Sequence, residues 1–403
     1  MRLLSDQFSI PEACLIADVI EFFVKQGHKT TISHKFIAED VREAVSHCHL
    51  SGAMYRAVLA EPDRFILRDP HLKPMLQRLR CNGRHVFLLT NSPFWFVDGG
   101  MQYLLGDEWR THFDLIVTSA RKPGFYTADS APFRRLLPHA QPNAESMDAA
   151  HLLDLGRVDR LMSGADGGVY VGGSLRELTR LTGWRGDTVL YVGDHLAADI
   201  IEPVRNHGWK TILVMKELES ELALASKSSV RQCRQDLERI DQLLHAEQLD
   251  RQMQQSRAQM LQQESDISKS GTSARESGST SNVGSRELTS HPEGDDDDDD
   301  EEVGQLLHEL KVQRKQLRRT LKAMHNPNFG SSLRTYVNHT LFSYELRRYA
   351  TAYTSRATNI LQYPVEHHFY APPVVMAHDE YSSIGLAQRQ LDAELSEEDM
   401  YGP

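Results

Sequence analysis

The chain has 403 residues, more than one hydrophobic core holds, so its length implies two or three domains. Forty-five Lys and Arg against 56 Asp and Glu leave a formal net charge of −11. That balance offers little attraction to phosphate polyanions or anionic lipid, which argues against nucleic-acid and membrane-surface binding while leaving room for a local basic pocket. A 40% hydrophobic and 25% charged composition is ordinary for a globular protein. The low mean hydropathy of −0.47 points to a polar segment outside any core. Cys14, Cys48, Cys81 and Cys233 are scattered, without a CxxC pair or zinc-like spacing, as expected of reduced thiols in a cytoplasmic protein. No run approaches the roughly 20 apolar residues of a membrane helix. Asp6, Glu12, Asp18 and Glu21 interrupt the opening stretch, which therefore reads as a folded helix and not a signal peptide.

Residues 1–80 look helical. Leu15, Ile16, Val19, Ile20 and Phe23 follow the helix period behind Pro11. A second helix carries Val41, Val45, Leu50, Met54 and Val58 as its apolar side and is broken or bent at Gly52. From residue 81 the pattern changes. HVFLLT (85–90), FDLIVT (113–118), DTVLYVGD (187–194) and TILVM (211–215) are short apolar runs suited to strands buried on both faces of a parallel sheet. Helical segments at 97–106 and 174–183 alternate with them, which predicts an α/β, doubly wound parallel sheet over 81–218. A long helix is expected over 219–263, with Leu237, Ile240 and Leu244 at helical spacing. Residues 264–302 are rich in Ser, Gly and Thr, end in Asp295–Asp300, Glu301 and Glu302, and read as a disordered acidic linker. That acid run could bind a cation or a basic partner; a solvated linker is the simpler account. A helical C-terminal region, 303–403, follows, with an aromatic-rich stretch at 326–378 suited to packing on the core.

Open α/β sheets place ligands at the carboxyl ends of their strands. Three such ends carry chemistry here. Thr90-Asn91-Ser92 follows the first strand with hydroxyls, an amide and turn N–H groups that suit phosphate oxygens. Lys122 lies just past the second, where an ammonium can neutralise a phosphate as a point charge. Gly193-Asp194-His195 ends a third, with Asp199 opening the next helix; an aspartate there can ligate a hard cation such as Mg²⁺. Each motif alone is equally well a turn, a surface lysine or a helix cap.

Thr, then Lys, then GDxxxxD on successive strand ends resembles the haloacid-dehalogenase-type phosphohydrolases. In detail the chain is similar to the cytosolic purine 5′-nucleotidase group and its 5′-nucleotidase-domain-containing relatives. The segments carrying the likeness are FLLTNSPFWFVDGGMQYLLG, FDLIVTSARKPGFYT, LTGWRGDTVLYVGDHLAADI, HGWKTILVMKELESEL and NPNFGSSLRTYVNHTLFSYELRRYA. The resemblance implies a helical cap portion over 1–80, a haloacid-dehalogenase-like core over 81–218, and a Mg²⁺-dependent phosphatase acting on nucleoside monophosphates through an aspartyl-phosphate. It implies that Thr90, Asn91 and Ser92 hold the phosphate, that Lys122 neutralises it, that Asp194 ligates the metal and that Asp199 supports the site. It places Arg42, in DVREAV, at a substrate-binding position. The family's purine enzymes have an aspartate where this chain has Ser46 and a lysine where it has Tyr55.

The family's first motif, an apolar strand ending in DxDxT, is not found in the sequence. The chain opens where the family's cap is already under way, as an incomplete gene product or isoform would, and a mitochondrial presequence would then lie upstream. Without that motif the expected activity is lost for want of a nucleophile. The alternative is a non-catalytic family member acting as a nucleotide-binding or protein-interaction scaffold. The expected partner is a nucleoside monophosphate or phosphate, without nucleic acid or membrane, and a homo-oligomer is open.

Overall fold

A computed structural model describes residues 6–27, 33–136, 152–154, 161, 168–272, 296–326 and 328–371. Two units emerge: one runs to Leu218 and takes up the chain again from Leu341, and the other spans Glu219–Thr340. In the first, α1 (Ser9–Lys25) and α2 (His34–Leu50) form a helical hairpin. The Ser33 hydroxyl caps α2 by accepting from the Lys35 N–H. Gly52, at a φ of 71°, ends the turn after α2 and starts α3 (Ala53–Ala60), so the expected break is a left-handed residue that glycine alone adopts readily. Helices α4 (Pro62–Phe65) and α5 (Leu72–Cys81) follow. Leu50, expected on the apolar side, is 89% exposed: α2 stops there, and its last turn is exposed among the described residues.

Strand β1 (Phe87–Leu89) opens the α/β part, followed by α6 (Phe94–Leu105), β2 (Leu115–Thr118), α7 (Gly124–Thr127), β3 (Phe133–Leu136), β4 (Leu152–Asp154), β5 (Val169–Gly172) and α8 (Leu175–Thr182). These strands make one sheet in the order β1-β2-β5-β3-β4, parallel at β1-β2-β5 and antiparallel at β3. β2 is buried on both faces: Leu115 and Val117 enter a cluster with Phe125, Tyr170 and Trp209, while Ile116 enters another with Phe94, Trp109 and Phe113. Next come β6 (Leu190–Gly193), a π-helical turn at Leu196–Ile201, α9 (Glu202–His207) and β7 (Lys210–Val214).

The second unit opens with α10 (Leu218–Ala225), whose first residue still belongs to the other, and is built on α11 (Ser228–Thr272) and α12 (Asp296–His325). Val230, Cys233, Leu237, Ile240 and Leu244 are buried at alternating three- and four-residue steps, the seam of a coiled coil. Arg234 meets His325 while Asp241, further along α11, takes Arg314 and Arg318, so the two helices run antiparallel. The linker expected over 264–302 is thus helical at both ends, with residues 264–272 in α11 and 296–302 in α12. Residues 273–295 lie outside the described residues. Strands β8 (Arg334–Thr335) and β9 (Asn338–His339) form a short hairpin.

Helix α13 (Leu341–Tyr349) and β10 (Ala352–Thr354) return to the first unit, where β10 pairs in parallel with β7. The expected C-terminal region is therefore divided: residues 303–340 go with α11, and the chain from Leu341 completes a sheet. Within it Phe342 and Leu346 are buried, but Tyr344 and Tyr353 are about half exposed; residues 372–403 lie outside the described residues. That second sheet has the order β10-β7-β6. The single doubly wound parallel sheet expected over 81–218 is seen as two sheets, one mixed, with β3 antiparallel to β5 and β4, and one wholly parallel; no backbone ladder joins β1 to β6 among the described strands. Side chains span the seam: Phe87 and Tyr191 stack at 6.1 Å, and one buried cluster holds residues of both sheets. No helix of the described residues is long and apolar enough to cross a membrane.

Trp109 is fully buried and its indole N–H donates to Asp98 Oδ1 at 3.0 Å. Trp109→Ala is expected to cost about 4 kcal/mol, since it opens a cavity and removes one of the donors to Asp98 Oδ1, which keeps Arg110. Leu50→Ala is expected to change stability by less than about 0.5 kcal/mol. Urea denaturation followed by circular dichroism measures both; equal effects would contradict the packing described.

Candidate functional site

The three strand ends singled out from the sequence converge. Thr90 continues β1: its N–H donates to Val117 O, and its carbonyl accepts from Ala120 N–H, which ties the turns after β1 and β2 together. The Thr90 Oγ1 accepts from the Ser92 N–H at 3.1 Å, a tight local turn. After β2, Ser119 and Arg121 have φ of 46° and 61°, a left-handed path that carries the chain to Lys122. Asn91 clamps that segment. Its Oδ1 accepts from the Lys122 N–H at 2.6 Å and its Nδ2 donates to the Lys122 carbonyl at 2.9 Å. The Asn91 amide, expected on the phosphate, is thereby spent on holding Lys122 in place.

Lys122 is the centre of the arrangement. Its ammonium donates to Asp199 Oδ1 at 2.6 Å, to the Tyr191 hydroxyl at 2.8 Å and to Leu89 O at 3.4 Å. The two charged side chains are only 9% and 4% exposed, so each is the other's main compensation for lost water. Asp199 sits in the π-helical turn, and its Oδ2 accepts from the His195 N–H at 3.2 Å. The His195 ring caps the same turn, its Nδ1 accepting from the Ala198 N–H at 3.3 Å, while Phe8 stacks on its face at 5.2 Å. Gly193 must be glycine for space, because a Cβ there would run into the Asp199 side chain.

Asp194 stands beside this pair at the end of β6. Crowding of the strand end, then the Asp199 carboxylate, hold its carboxyl above the usual 3.8. The residue still reaches solvent, which softens the effect without reversing it. Tyr126 and Tyr191 lie beneath, their phenols held well above the ordinary value, first by burial and next by Asp199. The Tyr126 hydroxyl is buried and interacts with the Tyr191 hydroxyl, without a hydrogen bond of good geometry among the described residues.

Of the expected site residues, Thr90, Asn91, Ser92, Lys122, Asp194 and Asp199 meet at one place. Arg42 shares no hydrogen bond or ion pair with them among the described residues: its Nε donates to Glu12 Oε1 at 3.1 Å, pinning α2 to α1. Tyr191 was not legible as a site residue, because a tyrosine inside an apolar run reads as core; only the strand-end position, three residues before Asp194, hinted at it.

A family model described as the 5′ nucleotidase family matches residues 1–381. The chain belongs to the 5′ nucleotidase family. It is 32% identical over 372 residues to a 5′-nucleotidase domain-containing protein of Dictyostelium discoideum, covering 91% of this chain and 52% of that protein. It is 31% identical over 374 residues to 5′-nucleotidase domain-containing protein 2 of Homo sapiens and to that of Rattus norvegicus, covering 93% of this chain and 60% and 56% of theirs. The chain thus spans between half and three-fifths of the length of the curated relatives it matches.

The family resemblance implies Mg²⁺, and the described side chains do not build its site by themselves. Among the described residues no group of three or more His, Cys, Asp or Glu could hold a metal. Both Asp199 oxygens are engaged, one by Lys122 and one by the His195 N–H, which leaves Asp194 as the available carboxylate.

Because its folded pKa is raised, Asp194 binds its proton more tightly in the folded chain. Its contribution therefore favours folding at low pH and is lost as pH rises from about 3.8 through the raised value. Asp194→Asn should accordingly be more stable than the parent at pH 7, with the gap closing towards pH 3. Thermal melts across that range check this; an asparagine variant less stable at neutral pH would contradict it.

Proposed function

We propose that this chain carries the phosphate-recognition part of a haloacid-dehalogenase-like nucleotidase, with a nucleoside monophosphate as its ligand class. The observation that supports this best is the Lys122–Asp199 pair, buried at strand ends that also bear Thr90 and Ser92. A surface lysine would stay in water; this one is drawn into the sheet ends and held on four sides by Asn91, Asp199, Tyr191 and Leu89 O.

In this reading the Thr90 and Ser92 hydroxyls donate to phosphate oxygens, and Lys122 supplies the positive charge. Asn91 and Asp199 hold Lys122 and do not touch the ligand themselves. Mg²⁺ would enter only with ligands beyond the described residues, Asp194 being its one contact here. The DxDxT of the resembled enzymes is absent from the sequence, so the 403 residues bind a phosphate ester but provide no carboxylate to attack it. The alternative, a family member that works by binding alone, gains from the same pair: Asp199 already balances the charge of Lys122, as a resting recognition site requires.

The purified chain should take up inorganic phosphate weakly and without metal, and Lys122→Ala should abolish that uptake. It should release no phosphate from inosine or guanosine monophosphate above background, since loss of a covalent nucleophile removes most of an acceleration of roughly 10⁶ or more. Phosphorus NMR titration and a colorimetric phosphate assay measure the two. Mg²⁺-dependent turnover that disappears in Asp194→Asn would overturn the inactive reading, and unchanged phosphate uptake in Lys122→Ala would overturn the site itself.

A further inference from the structure

The nucleotidase reading leaves Tyr191 without a task, although its hydroxyl is the most connected neutral group at the site. Tyr191 is 6% exposed on β6 and reaches across the seam to the other sheet. The hydroxyl accepts from the Lys122 ammonium at 2.8 Å, donates to Leu89 O at 3.0 Å and lies 3.5 Å from Asp199 Oδ1. A phenol has one proton, and the shorter contact assigns it to the carbonyl. Leu89 O has need of it. Thr90 turns its N–H to β2, so strand alternation turns the Leu89 carbonyl to the open edge of β1, away from its ladder.

The ammonium has three N–H groups and three acceptors, at 2.6, 2.8 and 3.4 Å. For Lys122 to donate to a phosphate oxygen, one contact must be released, and the longest, to Leu89 O, is the weakest. We infer that Tyr191 is a positioning residue for Lys122, and that its hydroxyl makes this release inexpensive. Because it donates to Leu89 O, the carbonyl stays satisfied when Lys122 turns its third proton to the ligand. Because it also accepts from Lys122, the ammonium stays anchored at the strand ends while it does so. This role rests on the phosphate reading above, but the anchoring half of it is testable without any phosphate.

Tyr191→Phe keeps the ring and its stacking and removes only the hydroxyl. Leu89 O then depends on Lys122 alone, and phosphate binding would orphan it, which should weaken inorganic phosphate roughly tenfold by phosphorus NMR titration. In the ligand-free protein, competitive labelling with acetic anhydride, read by mass spectrometry, should modify Lys122 several-fold faster in Tyr191→Phe than in the parent. Thr211→Val, which removes a buried hydroxyl without a hydrogen-bond partner among the described residues at the β7 position paired with Tyr191, should leave both measurements unchanged. A merely structural loss would affect the two variants alike, and that result overturns the inference. So does Tyr191→Phe with parental phosphate affinity, or with parental labelling of Lys122. If the parent chain takes up no phosphate, the phosphate reading fails, and the labelling comparison still decides whether Tyr191 anchors Lys122. If Tyr191→Phe does not fold, 4-aminophenylalanine at 191 retains a donor for Leu89 O; it should keep phosphate affinity within about threefold, and a tenfold loss there overturns the inference.

Discussion

A buried ammonium against a buried carboxylate is the constraint on which the rest of the first unit depends. Taking Lys122 and Asp199 out of water costs several kcal/mol for each ion, and the cost is offset only if each remaining polar atom finds a partner. The partners come from elements distant in sequence: Asn91 after β1, Tyr191 within β6, the His195 N–H at the start of the π-helical turn. Gly193 leaves the room that Asp199 occupies. A chain that buries this pair has therefore already decided how β1, β2 and β6 end relative to one another.

The same pair explains how two sheets without a shared backbone ladder make one unit. At the seam, Lys122 and Tyr191 supply donors to the Leu89 carbonyl, and Phe87, Tyr191 and Trp209 supply apolar contact. Side-chain donors satisfy an edge carbonyl as well as a strand does, but they do so one atom at a time. Edge strands are the part of a sheet most prone to further pairing, and here polar chemistry is concentrated where an edge would otherwise be bare.

The second unit follows a simpler rule. Its heptad-spaced seam buries Val230, Leu237 and Leu321, and Asp241 between Arg314 and Arg318 sets the pairing of α11 with α12. Below it, Glu221 gathers the Ser331 hydroxyl, the Ser332 N–H and His325, whose imidazole is pushed below its usual pKa by burial.

Much was legible in the sequence. Apolar runs bounded by glycine and polar residues located β1, β2, β6 and β7, because a short apolar run between polar breaks is too short for a helix. The expected burial on both faces holds for β2 and the middle of β7, whereas β1 is only partly buried and Leu190 opens β6 exposed. Thr90, Lys122 and Asp194-to-Asp199 were legible as strand-end chemistry, because α/β folds put such residues together by topology alone. Tertiary structure decided the remainder. A strand of two or three residues donated by a distant segment, as β10 is, has no period to read. Whether Arg42 faces a ligand or Glu12 depends on how two helices roll against each other, and whether Asn91 grips a phosphate or a backbone depends on a turn with two left-handed residues. Tyr191 carries the same letter in a core as in a site. Only the distance from its hydroxyl to Lys122, Leu89 and Asp199 separates the two, and distance across a fold is not written along a chain.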